Sequence, residues 1–77
     1  MANDRVDVHG SMLTLPTNGA QILSAVVYDL IGNQVNARIE ISTSSVHVDL
    51  THLSNGMYLV VLQTPADDTI VRNVMKH

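Results

Sequence analysis

The stretch VYDLIGNQV, at residues 27–35, begins with residues typical of a strand, has a glycine at which the chain can turn, and ends in a β-branched residue. The stretch DLTHLSNGMY, at residues 49–58, has the same organisation about twenty residues further along the chain. Glycine accepts the positive φ that such a reversal demands, and the flanking Val, Ile and Tyr residues favour extended backbone. Two glycine-hinged reversals between apolar segments therefore predict strands joined by tight turns.

Turn-forming residues recur about every eight to twelve positions, the spacing of short strands in an antiparallel sandwich. Alternation of apolar and polar residues is clearest at residues 35–41, where a shift of one position would bury Arg38 and Glu40. A helix over residues 20–31 is the rival interpretation, but the β-branched residues there favour a strand. The sequence therefore predicts an all-β fold, a small antiparallel β-sandwich of immunoglobulin-like type with about seven strands. The predicted strands cover, approximately, residues 4–9, 12–15, 22–30, 35–41, 46–50, 57–62 and 69–76.

The composition sets the character of the core. With 77 residues the chain has the length of one small domain, which we assign to residues 1–77. Hydrophobic residues make up 45% of it, yet Phe and Trp are absent, so branched aliphatic side chains and Met must fill the interior. Tyr28 and Tyr58 are the aromatic residues of the chain, and Tyr58 is predicted to be a buried anchor.

Charge and cysteine content exclude several classes of function. Cysteine is absent, which rules out disulfides and thiolate metal sites. The formal net charge of −3 argues against nucleic acid as a partner, because nucleic-acid binding needs a basic surface. No apolar run reaches the roughly 20 residues of a membrane span. Residues 1–10 do not resemble a signal peptide, so we expect either a cytosolic protein or a domain from a longer exported precursor.

A histidine-rich strand is the strongest candidate for metal binding. His47 and Asp49 lie on one outward strand face, with His52 close behind, and alternate strand residues stand about 6–7 Å apart. Structural zinc uses four ligands, however, and no second close pair exists, so a solvated His–Asp face is preferred. No Gly-x-Ser-x-Gly elbow is present, and Asp67 and Asp68 are adjacent in a loop rather than opposed across a cleft. We therefore expect no catalytic residue, no metal and no cofactor.

Four polar residues beside the reversals are predicted to stabilise the turns: Asp29, Asn33, Asp49 and Asn55. The carboxylate of Asp29 is expected to accept hydrogen bonds from the backbone of the residues that follow it. Asp49 is expected to hold the second reversal through the N–H groups of residues 51–53. Asn55 directly precedes the glycine at which the chain reverses.

Four segments in a fixed order resemble those of one protein family. Residues 6–15 are similar to its first hairpin, and residues 28–35 to its D-x-x-G-x-x-V segment. Residues 49–58 are similar to its D-L-S-x-L-x-x-G-x-Y segment, and residues 71–76 to a terminal strand that usually ends in a basic residue. In this order the segments resemble the C-terminal sorting domain of cargo proteins for the type IX secretion system of Bacteroidetes-type bacteria.

The resemblance implies a non-catalytic signal that directs cargo through the outer-membrane translocon. Its implied partners are translocon components, a surface sortase-type protease, and a passenger joined covalently upstream. Its implied localisation is the periplasm in transit, then the cell surface or the medium. The family often has Lys or Arg where Asn33 stands, and His77 extends past the terminal basic residue. By this resemblance the signal-bearing positions are Gly32, Gly56, Tyr58 and Lys76.

The last predicted strand, residues 69–76, is expected to be an exposed edge. Unpaired backbone groups at an edge could bind a translocon component by strand addition, or pair two copies of the domain into a dimer. On this hypothesis, removal of the last few residues blocks secretion while the fold largely survives. The recognition residues predicted on this strand are Val71, Arg72, Val74, Met75 and Lys76.

Two other functions stay open at this point. A sandwich for adhesion or carbohydrate binding would hold its ligand on an exposed face such as that of His47 and Asp49. Sugar sites usually need stacking aromatic residues, however, and this chain has few. Alternatively, a domain retained in the cell envelope would signal to a sensor instead of acting as a removable address.

Overall fold

A computed structural model describes residues 5–77 and arranges them in eight β-strands. No helix occurs within these residues, so the all-β prediction is confirmed and the rival helix over residues 20–31 is wrong. Within the same residues, correspondingly, there is no helix able to span a membrane. The predicted start of the first strand, at residue 4, lies outside the described residues. The strands are β1 Arg5–Val8, β2 Met12–Pro16, β3 Ser24–Asp29, β4 Gln34–Val35, β5 Arg38–Ile41, β6 Ser45–Asp49, β7 Gly56–Gln63 and β8 Thr69–Lys76.

The strands form two sheets, whose orders are β1-β8-β7-β3-β4 and β2-β6-β5. Packing β2, β6 and β5 against β3, β7 and β8 is the arrangement of an immunoglobulin-like sandwich. β1 departs from the antiparallel rule, because it runs parallel to β8, with Arg5 opposite Asn73 and Val8 opposite Lys76. The predicted sandwich is thus confirmed, and its larger sheet contains one parallel pair.

The core is formed by side chains that point between the sheets. Alternation along β6 turns Val46 and Val48 inward, and alternation along β7 does the same for Val60 and Leu62. Burying each such aliphatic side chain contributes roughly 1.5–3 kcal/mol, which makes these positions the main source of stability. The buried hydrophobic residues are Val8, Leu13, Leu15, Ile22, Val27, Val46, Val48, Leu50, Tyr58, Val60, Leu62 and Val74.

The predicted strand at residues 35–41 is two strands in the structure. β4 pairs with β3 in the larger sheet, whereas β5 pairs with β6 in the smaller one. Val35, Ala37 and Ile39 nevertheless all pack against the core, because the inner faces of both sheets line the same interior. Alternation therefore predicts which side chains point inward, but not which sheet supplies the hydrogen bonds. Ile41, also predicted to point inward, is 40% exposed, because β5 is an edge of the smaller sheet.

The third strand is shorter than predicted and is covered on one face instead of two. β3 begins at Ser24, and its inward residue Val27 is 1% exposed. Val26 and Tyr28 lie on the opposite face of the sheet and are half-buried. The apolar residues on both sides of this segment predict a strand covered on both faces. That prediction is wrong because the described strands form only two layers, so each sheet keeps one outer face.

The prediction that the last strand is an exposed edge is wrong for half of its length. β8 pairs with β7 along all its residues, and with β1 over Asn73–Lys76. Val74 is fully buried and lies opposite Val6 on one side and Tyr58 on the other. Among the described strands, only β7 pairs with the first half of β8, Thr69–Arg72.

Candidate functional site

The first reversal is a hairpin, residues 29–33, held by Asp29. Its Oδ1 atom accepts hydrogen bonds from the backbone N–H of Ile31 at 3.0 Å and of Asn33 at 2.9 Å. The backbone N–H of Asp29 donates in turn to the carbonyl oxygen of Asn33 at 2.9 Å. Gly32 supplies the positive φ, at +100°. The predicted turn role of Asp29 is therefore present in the structure.

The second reversal is a corner, residues 50–56, and Asp49 holds its start. Asp49 Oδ1 accepts hydrogen bonds from the hydroxyl of Thr51 and from its backbone N–H, the latter at 2.9 Å. These bonds favour the charged carboxylate and lower the pKa of Asp49 below its ordinary value. His52 and Arg38 lower that pKa by smaller amounts. The exposed carboxylate thus acts as a structural acceptor; of the three N–H groups predicted as its partners, those of residues 51–53, it binds that of Thr51, whereas the N–H of Leu53 donates to the carbonyl oxygen of Leu50.

Acid is expected to weaken the corner. Because the pKa of Asp49 is lower in the folded protein than in the unfolded chain, its stabilising contribution is fully present above the unfolded-state value of about 3.9. That contribution is lost as the pH falls through the folded-state pKa. In urea denaturation, the stability difference between the natural sequence and Asp49→Asn should therefore shrink as the pH is lowered below about 4. A difference that stays constant over this range would contradict the assignment.

Tyr58 closes the corner. Its hydroxyl donates to the carbonyl oxygen of Ser54 at 2.6 Å, and the residue is 8% exposed. This bond makes a tyrosine corner, a feature of immunoglobulin-like sandwiches in which a Tyr near the start of a strand bonds to upstream backbone. Gly56 lies two residues before Tyr58 and is the first residue of β7. Its φ of +146° lets the chain turn from the corner into this strand. The buried anchor predicted at Tyr58 is confirmed.

Lys76 holds the corner from β8. Its Nζ atom donates to the carbonyl oxygen of Leu50 at 2.8 Å and to that of Leu53 at 2.6 Å. Hydrogen bonds from a charged donor are stronger than neutral ones, so these two stabilise the corner backbone. The side chain of Leu53 also packs against the core. From the sequence, Lys76 is predicted only as a recognition residue, and its structural role is visible only in the fold.

These contacts bring the hairpin, the corner and the end of β8 together, and we call this region the motif end of the sandwich. Asp29 lies opposite Tyr58 in the β3–β7 pair, and Gly56 lies opposite Lys76 in the β7–β8 pair. Three segments that are far apart in the sequence therefore form one continuous structure. At the hairpin tip, Ile31 is 86% exposed.

The other residues predicted for recognition on β8 lie in different environments. Val71 is 49% exposed and Met75 is half-buried, both on the outer face of the larger sheet. Arg72 lies opposite Val60, and its guanidinium donates to the carbonyl oxygen of Val71 at 3.3 Å. Val74 is fully buried. A partner can therefore contact Val74 only if β8 leaves the sandwich.

His77 joins the end of the chain to β1. Its backbone N–H donates to the carbonyl oxygen of Val8 at 2.9 Å, and its Nε2 lies 2.9 Å from Oδ1 of Asp7. The His77 and His9 rings stack with centroids 4.4 Å apart. The bond from His77, together with the charge of Arg5, lowers the pKa of Asp7. Sequence reasoning missed this cluster because no turn links β1 to β8.

Both ring nitrogens of His47 form hydrogen bonds within the smaller sheet. Its Nδ1 lies 3.0 Å from the hydroxyl of Thr14, and its Nε2 lies 3.1 Å from the hydroxyl of Ser45. Across residues 5–77, no three His, Cys, Asp or Glu side chains form a group that could hold a metal ion. The outer face of the smaller sheet is thus polar and hydrogen-bonded.

The outer face of the larger sheet is different, because its central strands carry apolar residues there. Successive side chains alternate between faces, so the residues between core positions on β3, β7 and β8 point away from the smaller sheet. They do not belong to the core cluster, and no described strand covers them. We call the following residues the outer apolar face: Val26, Tyr28, Met57, Leu59, Val61, Val71 and Met75.

The motif end contains three of the four segments by which the sequence resembles the sorting-domain family. A family model described as "Secretion system C-terminal sorting domain" matches residues 2–76, nearly the whole chain. The chain belongs to this family. No curated protein matches the sequence. The resemblance that the hairpin and corner motifs indicated is therefore confirmed.

Membership identifies the chain as a C-terminal sorting signal for type IX secretion. A sorting domain of this family implies interaction with the type IX machinery and export to the cell surface or the medium. Such domains are generally non-catalytic. The structure adds that the family motifs of this sorting domain also build its fold, since Asp29, Asp49, Tyr58 and Lys76 all bond to backbone.

Proposed function

We propose that this sorting domain is a non-catalytic signal that directs a passenger, joined covalently upstream, through the type IX outer-membrane translocon. In this proposal the passenger crosses the periplasm, and translocon components recognise the domain. A surface sortase-type protease then separates the domain from its cargo, which stays at the cell surface or enters the medium. The observation that carries the proposal is the match to the family model together with the convergence of three of the four family segments on one end of the sandwich.

The contacts at the motif end support recognition by shape. The ammonium group of Lys76 and the hydroxyl of Tyr58 are both bonded to backbone carbonyl oxygens. Gly32 and Gly56 set the path of the backbone at the two reversals. We infer that these four positions act by holding the hairpin and corner in one arrangement, which presents Ile31 to the translocon.

Both carboxylates of the motif end have structural partners. Oδ1 of Asp29 and Oδ1 of Asp49 each accept two hydrogen bonds from the protein itself. Each carboxylate therefore helps to fix the backbone at its reversal.

A reporter fusion tests this function. A fluorescent protein with an export leader and this domain at its C-terminus would be produced in a bacterium that has the type IX system. We expect the reporter at the cell surface or in the medium, and in the periplasm when the domain is omitted. Retention of the complete fusion in the periplasm, or release from a strain without the translocon, would count against the proposal.

An Ile31→Ser variant in the same fusion tests recognition through the hairpin tip. Because Ile31 is 86% exposed, the fold should tolerate the change while secretion falls. Leu23→Ser is the matched control, since Leu23 is 57% exposed and lies outside the motif end. Equal secretion of both variants would remove the hairpin tip from the proposal without affecting the sorting function itself.

A further inference from the structure

We propose that the outer apolar face binds a second copy of this domain, giving a reversible dimer with the two larger sheets face to face. The inference concerns self-association and does not depend on the proposed sorting function. It replaces the dimer through edge strands that the sequence suggested.

The two outer faces differ in polarity. Antiparallel sheets that face water on one side carry polar residues there. The smaller sheet follows this rule, with Thr14, His47 and Glu40 lying side by side on its outer face. On the larger sheet, by contrast, Val61 is flanked by apolar residues on both sides, and Leu59 lies between Tyr28 and Asn73. A contiguous apolar patch of this kind marks a contact surface.

The outer apolar face is nearly free of charge. Among the described residues, the charged side chains on the outer side of the larger sheet are those of Arg5 and Asp7. Both lie on the edge strand β1 and pair with each other at 3.3 Å. Two copies, each with a net charge of −3, can therefore meet here without burying an unpaired charge.

The area of the outer apolar face limits the strength of association. The strands that carry it, β3, β7 and β8, have six, eight and eight residues, and at about 3.3 Å per residue and about 4.8 Å between strands they cover roughly 350 Å². A standard specific interface buries about 800 Å² on each partner. The face therefore fits a weak dimer and is too small for a permanent one. We expect association that depends on concentration.

The strand edges offer less surface for association. The edge strands β1, β2, β4 and β5 have between two and five residues each, and β1 leaves only the first four residues of β8 open. Short edge strands limit pairing with another chain. The outer apolar face is therefore the favoured contact between copies.

Sedimentation velocity on the whole chain, from about 10 µM to about 1 mM, tests the proposal. We expect the weight-average sedimentation coefficient to rise from that of a monomer toward that of a dimer. Leu59→Lys should weaken association at least about tenfold, because it places a charge in the middle of the face. Val71→Lys is a second variant on the same face, and its side chain is 49% exposed, so the fold can accept the charge.

The matched control is Met12→Lys. Met12 is 56% exposed on the outer face of the smaller sheet, so this variant adds the same charge without touching the outer apolar face. It should associate as the natural sequence does. A chain that stays monomeric at every concentration overturns the proposal. So does a dimer that Val71→Lys leaves intact, or one that Met12→Lys weakens equally.

Discussion

Deletion of residues 74–77 is expected to unfold this sorting domain near room temperature. The deletion removes Val74, which is fully buried between the sheets, and both bonds from Lys76 to the corner. Losing a buried aliphatic side chain costs about 2–4 kcal/mol, and each hydrogen bond from a charged group contributes about 1.5–3 kcal/mol. A domain of 77 residues has a total stability of roughly 4–12 kcal/mol. The stabilisation lost on deletion is therefore comparable to the total free energy of unfolding of the domain.

Far-UV circular dichroism and urea denaturation of the truncated domain would measure this loss. Deletion of His77 alone is the matched control, because it removes surface contacts with Val8 and Asp7 and leaves the core intact. The shorter deletion should cost about 1 kcal/mol. A domain lacking residues 74–77 that still unfolds cooperatively, with near-normal stability, would show that the end of β8 is dispensable for folding.

This expectation corrects the sequence-based hypothesis that the fold survives truncation. That hypothesis treated the last strand as a free edge, whereas Asn73–Lys76 is paired on both sides. A secretion defect after truncation would therefore report unfolding as well as loss of the signal. Substitutions at exposed positions such as Ile31 separate the two effects.

Tyr58→Ala is expected to lower the free energy of unfolding by about 3–5 kcal/mol. The substitution leaves a cavity beside Val74 and Val60, and it also leaves the carbonyl oxygen of Ser54 without its hydrogen-bond donor. Tyr58→Phe keeps the ring and removes only the hydroxyl, so it should cost about 1 kcal/mol. Urea denaturation monitored by circular dichroism would measure both.

Tyr28→Ala provides the matched control for this prediction. It is the same chemical change at the other tyrosine, which lies on the outer apolar face and is half-buried. We expect a loss of no more than about 1.5 kcal/mol, since no cavity forms in the core. Equal losses at Tyr28 and Tyr58 would contradict the distinction that the structure makes between them.

Local sequence was sufficient to predict the two reversals. Asp29 and Asp49 bond to backbone groups within four residues of themselves, so their roles depend on spacing along the chain. The alternation at residues 35–41 likewise predicted the inward side chains Val35, Ala37 and Ile39. Contacts of this range are encoded by neighbouring residues, and pattern analysis finds them.

Contacts between distant segments could not be predicted in this way. The pairing of β1 with β8 joins opposite ends of the chain, and no turn signals it. Apolar residues on both sides of β3 fit either a strand covered on both faces or a strand with an apolar outer face, and the sequence alone does not separate the two. The bonds from Lys76 to Leu50 and Leu53 were missed for the same reason, since they span more than twenty residues.

The parallel pairing of β1 with β8 has a mechanical consequence. If a receptor grips the motif end while tension is applied to the chain ahead of Arg5, the two strands are pulled in opposite directions along their length. The force then acts on all the hydrogen bonds between β1 and β8 at the same time. In an antiparallel terminal pair, by contrast, the hydrogen bonds would break one after another. On the proposed function, the domain should therefore stay folded when an upstream passenger pulls on the chain, and single-molecule stretching from its two termini would measure that resistance.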